Sequence, residues 1–433
     1  MDVIQGYSKL SANEKLDVLC QAGILDQTDC LRIKDFRHQD KEIQSLFEKF
    51  TENVVSSYHL PYSIAPNFRI NNELFHVPMV VEESSVVAAA SWSARFWSDK
   101  GGFKTKVLSE DKIGQIHFSY SGKLDLILSN QHSLNIALQK SVSDLTQNMK
   151  KRGGGISKFE WLEIGAIPGV YQCRVSFLTA DSMGANFINS CLEKMGKELI
   201  SQLKLLSPAL PEAEIIMAIL SNYTPNCLVE CTVENDIKVF SGIKGLTDPK
   251  RFAEKFLLAV KIANNDPYRA VTHNKGIFNG MDAVVLATAN DFRAFEAGGH
   301  AYASKDGKYK SLTTCKLNNN TFSYTLRVPV SIGTVGGLTS THPLAKMSLK
   351  LLGNPSANKL MQIIAAAGMA NNFAAIKALT TSGIQKGHMK MHLSKILIQL
   401  GADDNQSKMA NNYFSDKTIS FADVNEYIST LKK

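Results

Sequence analysis

The stretch from Asp266 to Ala303 constrains the fold more than any other part of the chain. Ile277, Met281, Val284, Val285 and Thr288 recur there at helical spacing, so one face of a helix must pack against a core. This pattern places Lys275 at the start of the helix and Asp291 just past its end. Asn290 and Asp291 also suit the cap of a second helix from Phe292, because a short side-chain acceptor satisfies amides that a helix leaves free. From the residues alone two readings stay open. One is a capping carboxylate and a lysine that snorkels to solvent; the other is a desolvated amine beside a carboxylate, suited to polarising a carbonyl oxygen.

With 433 residues, 44% of them apolar, the chain should form two or three globular domains. Its net charge of +8 favours anionic partners, but no basic tract interleaved with aromatics appears, so nucleic acid is not expected. The cysteines at 20, 30, 173, 191, 227, 231 and 315 form no CxxC pair, and their odd number argues against a full disulfide framework. A reducing cytoplasm fits best. The start of the chain lacks a basic segment followed by an apolar core, and no uninterrupted apolar run reaches spanning length, so no membrane is expected.

Ser11-Ala-Asn-Glu14 reads as a capping box. Residues 68–81 alternate like strands about a turn at Asn71-Asn72, and Ser84 or Ser85 should cap a helix over the small residues that follow. Glu83 stands at that junction, where helix amides favour its anion and apolar walls its acid. Between 110 and 222 short strands (113–120, 159–164, 170–178, 215–220) alternate with helices, which suggests a ferredoxin-like domain inserted in a larger one. Asp181-Ser-Met183-Gly184-Ala-Asn186 sets a cap and a glycine at a helix amino terminus, a weak phosphate signal alone; no GxGxxG follows a strand. A hairpin is expected around Asn318-Asn-Asn320, then a glycine loop at Gly333-Thr-Val-Gly336-Gly337. Residues 361–380 read as an Ala-rich helix suited to the buried centre of an assembly. A hinge at Gly383 precedes His388-Met-Lys-Met-His392. Met389 replaces the glutamate of HExxH and no third ligand is evident, so no metal is expected; His388 suits proton transfer instead.

Taken together, Asp266-Pro-Tyr-Arg269-Ala, His273-Asn-Lys275-Gly, Asn290-Asp291, Glu82-Glu83, Asp181-Ser-Met-Gly-Ala-Asn186, Gly333-Thr-Val-Gly-Gly337 and Gly383-Ile-Gln-Lys-Gly-His388-Met resemble, in order, the motifs of class II 3-hydroxy-3-methylglutaryl-CoA (HMG-CoA) reductases. Ser84 stands where that family's Glu-Glu-Pro-Ser motif has proline, and Ser182 replaces an alanine. The resemblance implies an α+β chain: a large, mainly helical substrate-binding domain (1–109 and 223–380), an inserted dinucleotide-binding domain (110–222) and a small helical carboxy-terminal flap (381–433). It implies four-electron reduction of HMG-CoA to mevalonate and free CoA by NADPH or NADH, or the reverse, in a homodimer or larger homo-oligomer with sites between subunits.

The implied catalytic residues are Glu83, Lys275, Asp291 and His388, with Ser85, Arg269 and Asn279 on the substrate. Asp181, Met183, Gly184, Asn186, Gly333, Gly336 and Gly337 would meet the cofactor. NADH-using members carry an acid shortly before the triple glycine; Thr146 stands there, followed by Lys150, Lys151 and Arg152, so NADPH is the expected cofactor. Two other classes remain in view. One is another acyl-CoA or aldehyde oxidoreductase with a cysteine nucleophile, the other a non-catalytic CoA-ester-binding protein of the same fold.

Overall fold

The computed structural model describes residues 3–381, 393–414, 417 and 419–431. Residues 1–61 and 62–433 separate into two units. The first unit holds α1 (Ala12–Gln21), α2 (Gln27–Asp35) and α3 (Lys41–Phe47). Ser11 and Glu14 form the expected capping box, and Asp26 with Asp29 forms a second. Cys20 and Cys30 are joined by a disulfide; Cys173, Cys191, Cys227, Cys231 and Cys315 are free.

The second unit opens with the hairpin β1 (Tyr62–Ile70) and β2 (Glu73–Val80), turned by Asn71 and Asn72 at φ 48° and 72°, a pair that asparagine tolerates. Then come α4 (Val86–Ser98), β3 (Lys104–Glu110) and β4 (Lys112–Ser119). Three short helices follow, α5 (Leu124–Ser129), α6 (Gln131–Ser141) and α7 (Ser143–Lys151). Next are β5 (Gly155–Glu163), β6 (Val170–Leu178), α8 (Ala185–Leu206) and β7 (Glu214–Ser221). The sheet order β5-β6-β4-β7, antiparallel throughout, is the ferredoxin-like arrangement. Ile116, Phe118, Trp161, Phe177, Leu192 and Leu199 form a core between this sheet and its helices.

A second four-stranded sheet, β3-β8-β10-β9, adds β8 (Cys227–Asp236), β9 (Thr313–Asn318) and β10 (Thr321–Pro329). Against it pack α9 (Pro249–Asn265), α11 (Phe292–Ala303) and α13 (Ala357–Thr380), while α10 (Pro267–Ala287) and α12 (Pro343–Leu351) pack against β2, in a core rich in Phe240, Phe256, Phe322 and Phe373. α13 is long and apolar enough to cross a membrane, yet most of it is buried within the chain. Its burial is therefore intramolecular, where the composition suggested the centre of an assembly. Helices at 393–399, Asp404–Tyr413 and Phe421–Leu431 enclose a third cluster around Leu397, Phe414 and Ile428. Gly383 and His388 lie outside the described residues.

Candidate active site

α10 begins eight residues before Lys275, because Asp266 accepts the Tyr268 amide and Pro267 occupies the first turn. Lys275 is thus in mid-helix, not at the start. The face carrying Ile277, Met281, Val284 and Val285 is fully buried, as its spacing requires. It lies so close to α13 that a β-carbon on Gly280 would come 2.5 Å from the Ala367 carbonyl oxygen, and one on Gly368 would strike the Met281 side chain.

That contact fixes the geometry of the site. From α13, Asn371 Nδ2 donates to the Val86 carbonyl at 2.9 Å, holding the start of α4, and Asn372 Nδ2 donates to the His273 carbonyl at 2.8 Å, holding α10. The Asn372 amide oxygen accepts from the buried Tyr324 hydroxyl. The turn before α4 carries Glu83 and α10 carries Lys275; Lys275 Nζ reaches Glu83 Oε2 at 2.5 Å. Both side chains stay about half exposed, at 57% and 40%.

Ser85 occupies the N-cap position of α4 at φ 80° and makes no capping bond, so its hydroxyl is left for other use. Its backbone is strained, as is that of Ala180 before Asp181 (φ 47°) and Ala289 before Asn290 (φ 53°). Left-handed non-glycine residues of this kind cost on the order of 1 kcal/mol each and gather at functional sites. Asn279 follows Lys275 by one turn on the same side of α10 and is half-buried. Arg269 precedes it by six residues, about 240° round the helix, near Tyr324 and His273. Among the described residues its guanidinium has no hydrogen-bond or ion-pair partner, and burial lowers its pKa. His273 is buried neutral: burial first, then Arg269, drives its pKa down to about 3.

Asp291 does not set the charge of Lys275 within this chain. It caps α11 through the Arg293 and Ala294 amides and binds the Arg293 side chain at 3.1 and 3.2 Å. Partial burial opposes its ionisation, but these bonds outweigh it and hold the carboxyl below its usual range. Twelve residues of α10 separate Lys275 from Ala287, roughly 18 Å at 1.5 Å per residue. The capping reading of Asp291 is the one this fold displays.

The two glycine-containing loops, Asp181–Asn186 and Gly333–Gly337, come together. Gly333 donates its amide to Asn290 Oδ1 at 2.9 Å, Thr334 donates to the Asp181 carbonyl at 2.8 Å, and Ser182 bridges to Val335. Asp181 does not cap α8, whose N-cap is Gly184 at φ 85°; its carboxylate accepts from the Ala357 amide at the start of α13. Met183 is half-buried, Asn186 is exposed, and open space surrounds Gly336 and Gly337. Thr146 is a correction. It is fully buried, and its hydroxyl bonds back to the Val142 and Ser143 carbonyls, so it presents nothing to a ribose.

The sequence reading missed Asn371 and Asn372, although two amides within an otherwise apolar helix signal bonds to other elements. It also missed Lys112, a lysine opening an alternating apolar strand.

Residues 13–393 match the family model described as hydroxymethylglutaryl-coenzyme A reductase. The 3-hydroxy-3-methylglutaryl-coenzyme A reductase of Archaeoglobus fulgidus is 35% identical over 407 residues, covering 92% of this chain and 87% of that protein. A probable reductase of Borreliella burgdorferi is 32% identical, covering 85% and 81%. A Streptococcus pneumoniae reductase structure aligns with TM-score 0.74 and 35% identity over 99% of this chain and all of its own. A class II reductase structure from that organism, bound to NADPH in open conformations, aligns with TM-score 0.73 and 34% identity over 98% and 100%. With this likeness running from end to end, the chain belongs to the hydroxymethylglutaryl-coenzyme A reductase family.

Proposed function

We propose that this chain is an oxidoreductase that converts HMG-CoA to mevalonate and CoA with two reduced nicotinamide dinucleotides. The observation carrying the catalytic assignment is the Lys275–Glu83 bond at 2.5 Å, the amine and carboxyl that such a reaction needs, held side by side. When bound, the dinucleotide supplies a hydride to each of two carbonyl groups in turn. The backbone fits such a group: α8 presents unpaired first-turn amides behind Gly184, and the bare Cα of Gly333 lies against the Met183 nitrogen.

Lys275 donates to the oxyanion that forms at the thioester carbon, and the resulting hemithioacetal collapses to mevaldehyde with loss of the CoA thiolate. His388, outside the described residues, is assigned the protonation of that thiolate. Glu83 is assigned delivery of a proton to the aldehyde oxygen in the second reduction. Because Lys275 and Glu83 share one hydrogen bond, a proton on either is one transfer from the other. Ser85 and Asn279 flank this pair and Arg269 offers a planar partner for the substrate's free carboxylate.

Asp291 lies beyond the carboxy-terminal end of α10, more than three helical turns from Lys275, so we assign Asp291 to the site of a second copy, in a homodimer with active sites between subunits. Residues 110–222, with their own core and ferredoxin-like sheet, are assigned the dinucleotide, and 381–433 the flap. The basic turn Lys150, Lys151 and Arg152 supports NADPH over NADH, now without a contact from Thr146. We assign the reaction to the cytoplasm on the five free cysteines, the Cys20–Cys30 disulfide notwithstanding.

A cysteine-nucleophile oxidoreductase is not favoured. Burial pushes the thiol of Cys191 up to about 11, Cys227 to about 11 and Cys315 to about 12, and raises Cys173 and Cys231 further. The test is a spectrophotometric assay with HMG-CoA and each reduced dinucleotide, with mevalonate and free thiol identified as products. Binding of HMG-CoA without dinucleotide oxidation would leave a non-catalytic protein of this fold.

A further inference from the structure

Lys112 opens β4, and its side chain is almost entirely buried. Its Nζ donates to Thr179 Oγ1 at 2.7 Å, to the Ser182 carbonyl at 2.8 Å and to the Ile332 carbonyl at 3.2 Å, so all three ammonium protons are used. All three acceptors are neutral. Among the described residues no carboxylate forms an ion pair with it, and burial lowers its pKa against weaker support from Cys227 and Glu110. A buried cation surrounded only by dipoles is costly, so its effect must be sought in what it holds.

Ser182 belongs to one of the two glycine-containing loops and Ile332 immediately precedes the other. These loops lie side by side: Thr334 and Val335 both donate to the Asp181 carbonyl, and a β-carbon on Gly333 would come 2.3 Å from the Met183 nitrogen. Lys112 bonds to both, and Thr179, its third partner, donates in turn to the Ser182 carbonyl at 2.7 Å. The ammonium also borders a cavity of about 180 Å³ whose wall includes Arg152 and Gly153. Its charge therefore sits close to the amino terminus of a 22-residue helix, and the two fields add.

We propose that Lys112 is a positioning residue for the nicotinamide dinucleotide, tying the Asp181–Asn186 and Gly333–Gly337 loops into one surface for its diphosphate. This rests on the reading that those loops hold the dinucleotide. Loss of a charged hydrogen-bond donor should raise the dinucleotide KM, and its Kd from quenching of reduced-dinucleotide fluorescence, by about tenfold or more in Lys112→Met. The HMG-CoA KM should stay within about twofold, and Lys112→Arg should recover part of the loss. Asn186→Asp, at an exposed position, tests the loops themselves by setting a carboxylate against the diphosphate. If Asn186→Asp raises the dinucleotide KM while Lys112→Met does not, or if Lys112→Met raises both KM values equally, the positioning role is overturned. If Asn186→Asp changes nothing, the loop assignment has failed and the role of Lys112 falls with it. Should Lys112→Met not fold, Thr179→Val removes one acceptor, and a dinucleotide KM equal to wild type would overturn the proposal.

Discussion

Lys275 and Glu83 are 192 residues apart in sequence and 2.5 Å apart in space, and neither is buried. An exposed ion pair contributes little to stability, about 0 to 1 kcal/mol. Replacing Lys275 with alanine should therefore leave the fold intact. Loss of one oxyanion donor should lower kcat on HMG-CoA by roughly 10²- to 10³-fold. A variant with turnover within a few fold of wild type would remove Lys275 from the chemistry.

The separation of Lys275 from Asp291 along α10 has a test of its own. If each site takes Lys275 from one copy and Asp291 from another, inactive Lys275→Ala and Asp291→Ala chains should complement when co-expressed. Random pairing makes half the dimers mixed, each with one intact site, so about a quarter of wild-type activity should return. No recovery in purified mixed dimers would place both residues in the same chain's site.

Gly280→Ala should destabilise the protein by about 1 to 3 kcal/mol, since the new methyl meets the Ala367 carbonyl and not a movable side chain. Denaturant titration of the variant measures this directly. An unchanged midpoint would mean that α10 and α13 can move apart without loss.

Asp282 on α10 is held largely from water beside Glu296 of α11. Burial first, then the charge and hydrogen bond of Glu296, raise its pKa to about 9 from an ordinary 3.8. A carboxyl whose pKa is raised on folding carries no penalty below the unfolded value. It costs stability progressively as pH rises toward the folded value, where the unfolded chain binds fewer protons. Asp282→Asn should therefore raise the melting temperature at pH 7 more than at pH 4. An equal shift at both values would show that folding does not raise the pKa of Asp282.

Catalytic efficiency should favour NADPH over NADH, and Lys150→Glu with Lys151→Glu should move the ratio toward NADH. Both side chains are exposed at the end of α7, so the double variant should fold. A wild-type ratio favouring NADH would reject the basic turn as the selecting element.

Short-range chemistry was read well from the sequence. The capping box at Ser11, the asparagine turns at Asn71 and Asn319, the strand at 170–178 and the cap at Asp291 each depend on residues within a few positions of one another. Periodicity locates a buried face, not a helix start or a long-range partner. The spacing of Ile277, Met281, Val284 and Val285 marks the buried face of α10 but not its start, which Asp266 and Pro267 set eight residues before Lys275. Asp181 was assigned to α8 because that helix follows it, whereas its partner is Ala357, 176 residues on. The position of Thr146 before the triple glycine carries no information about which side of its helix faces the core, and it is fully buried.

α13 uses adjacent asparagines to grip both walls of the ion-pair site from inside the most buried part of the fold. Opening that site is then no local event, because the Glu83 turn and the Lys275 turn cannot separate unless a helix in the centre of the core is released. Amides of α10 near Lys275 should exchange with solvent deuterium only through global unfolding, and heat inactivation should track loss of the whole structure instead of preceding it.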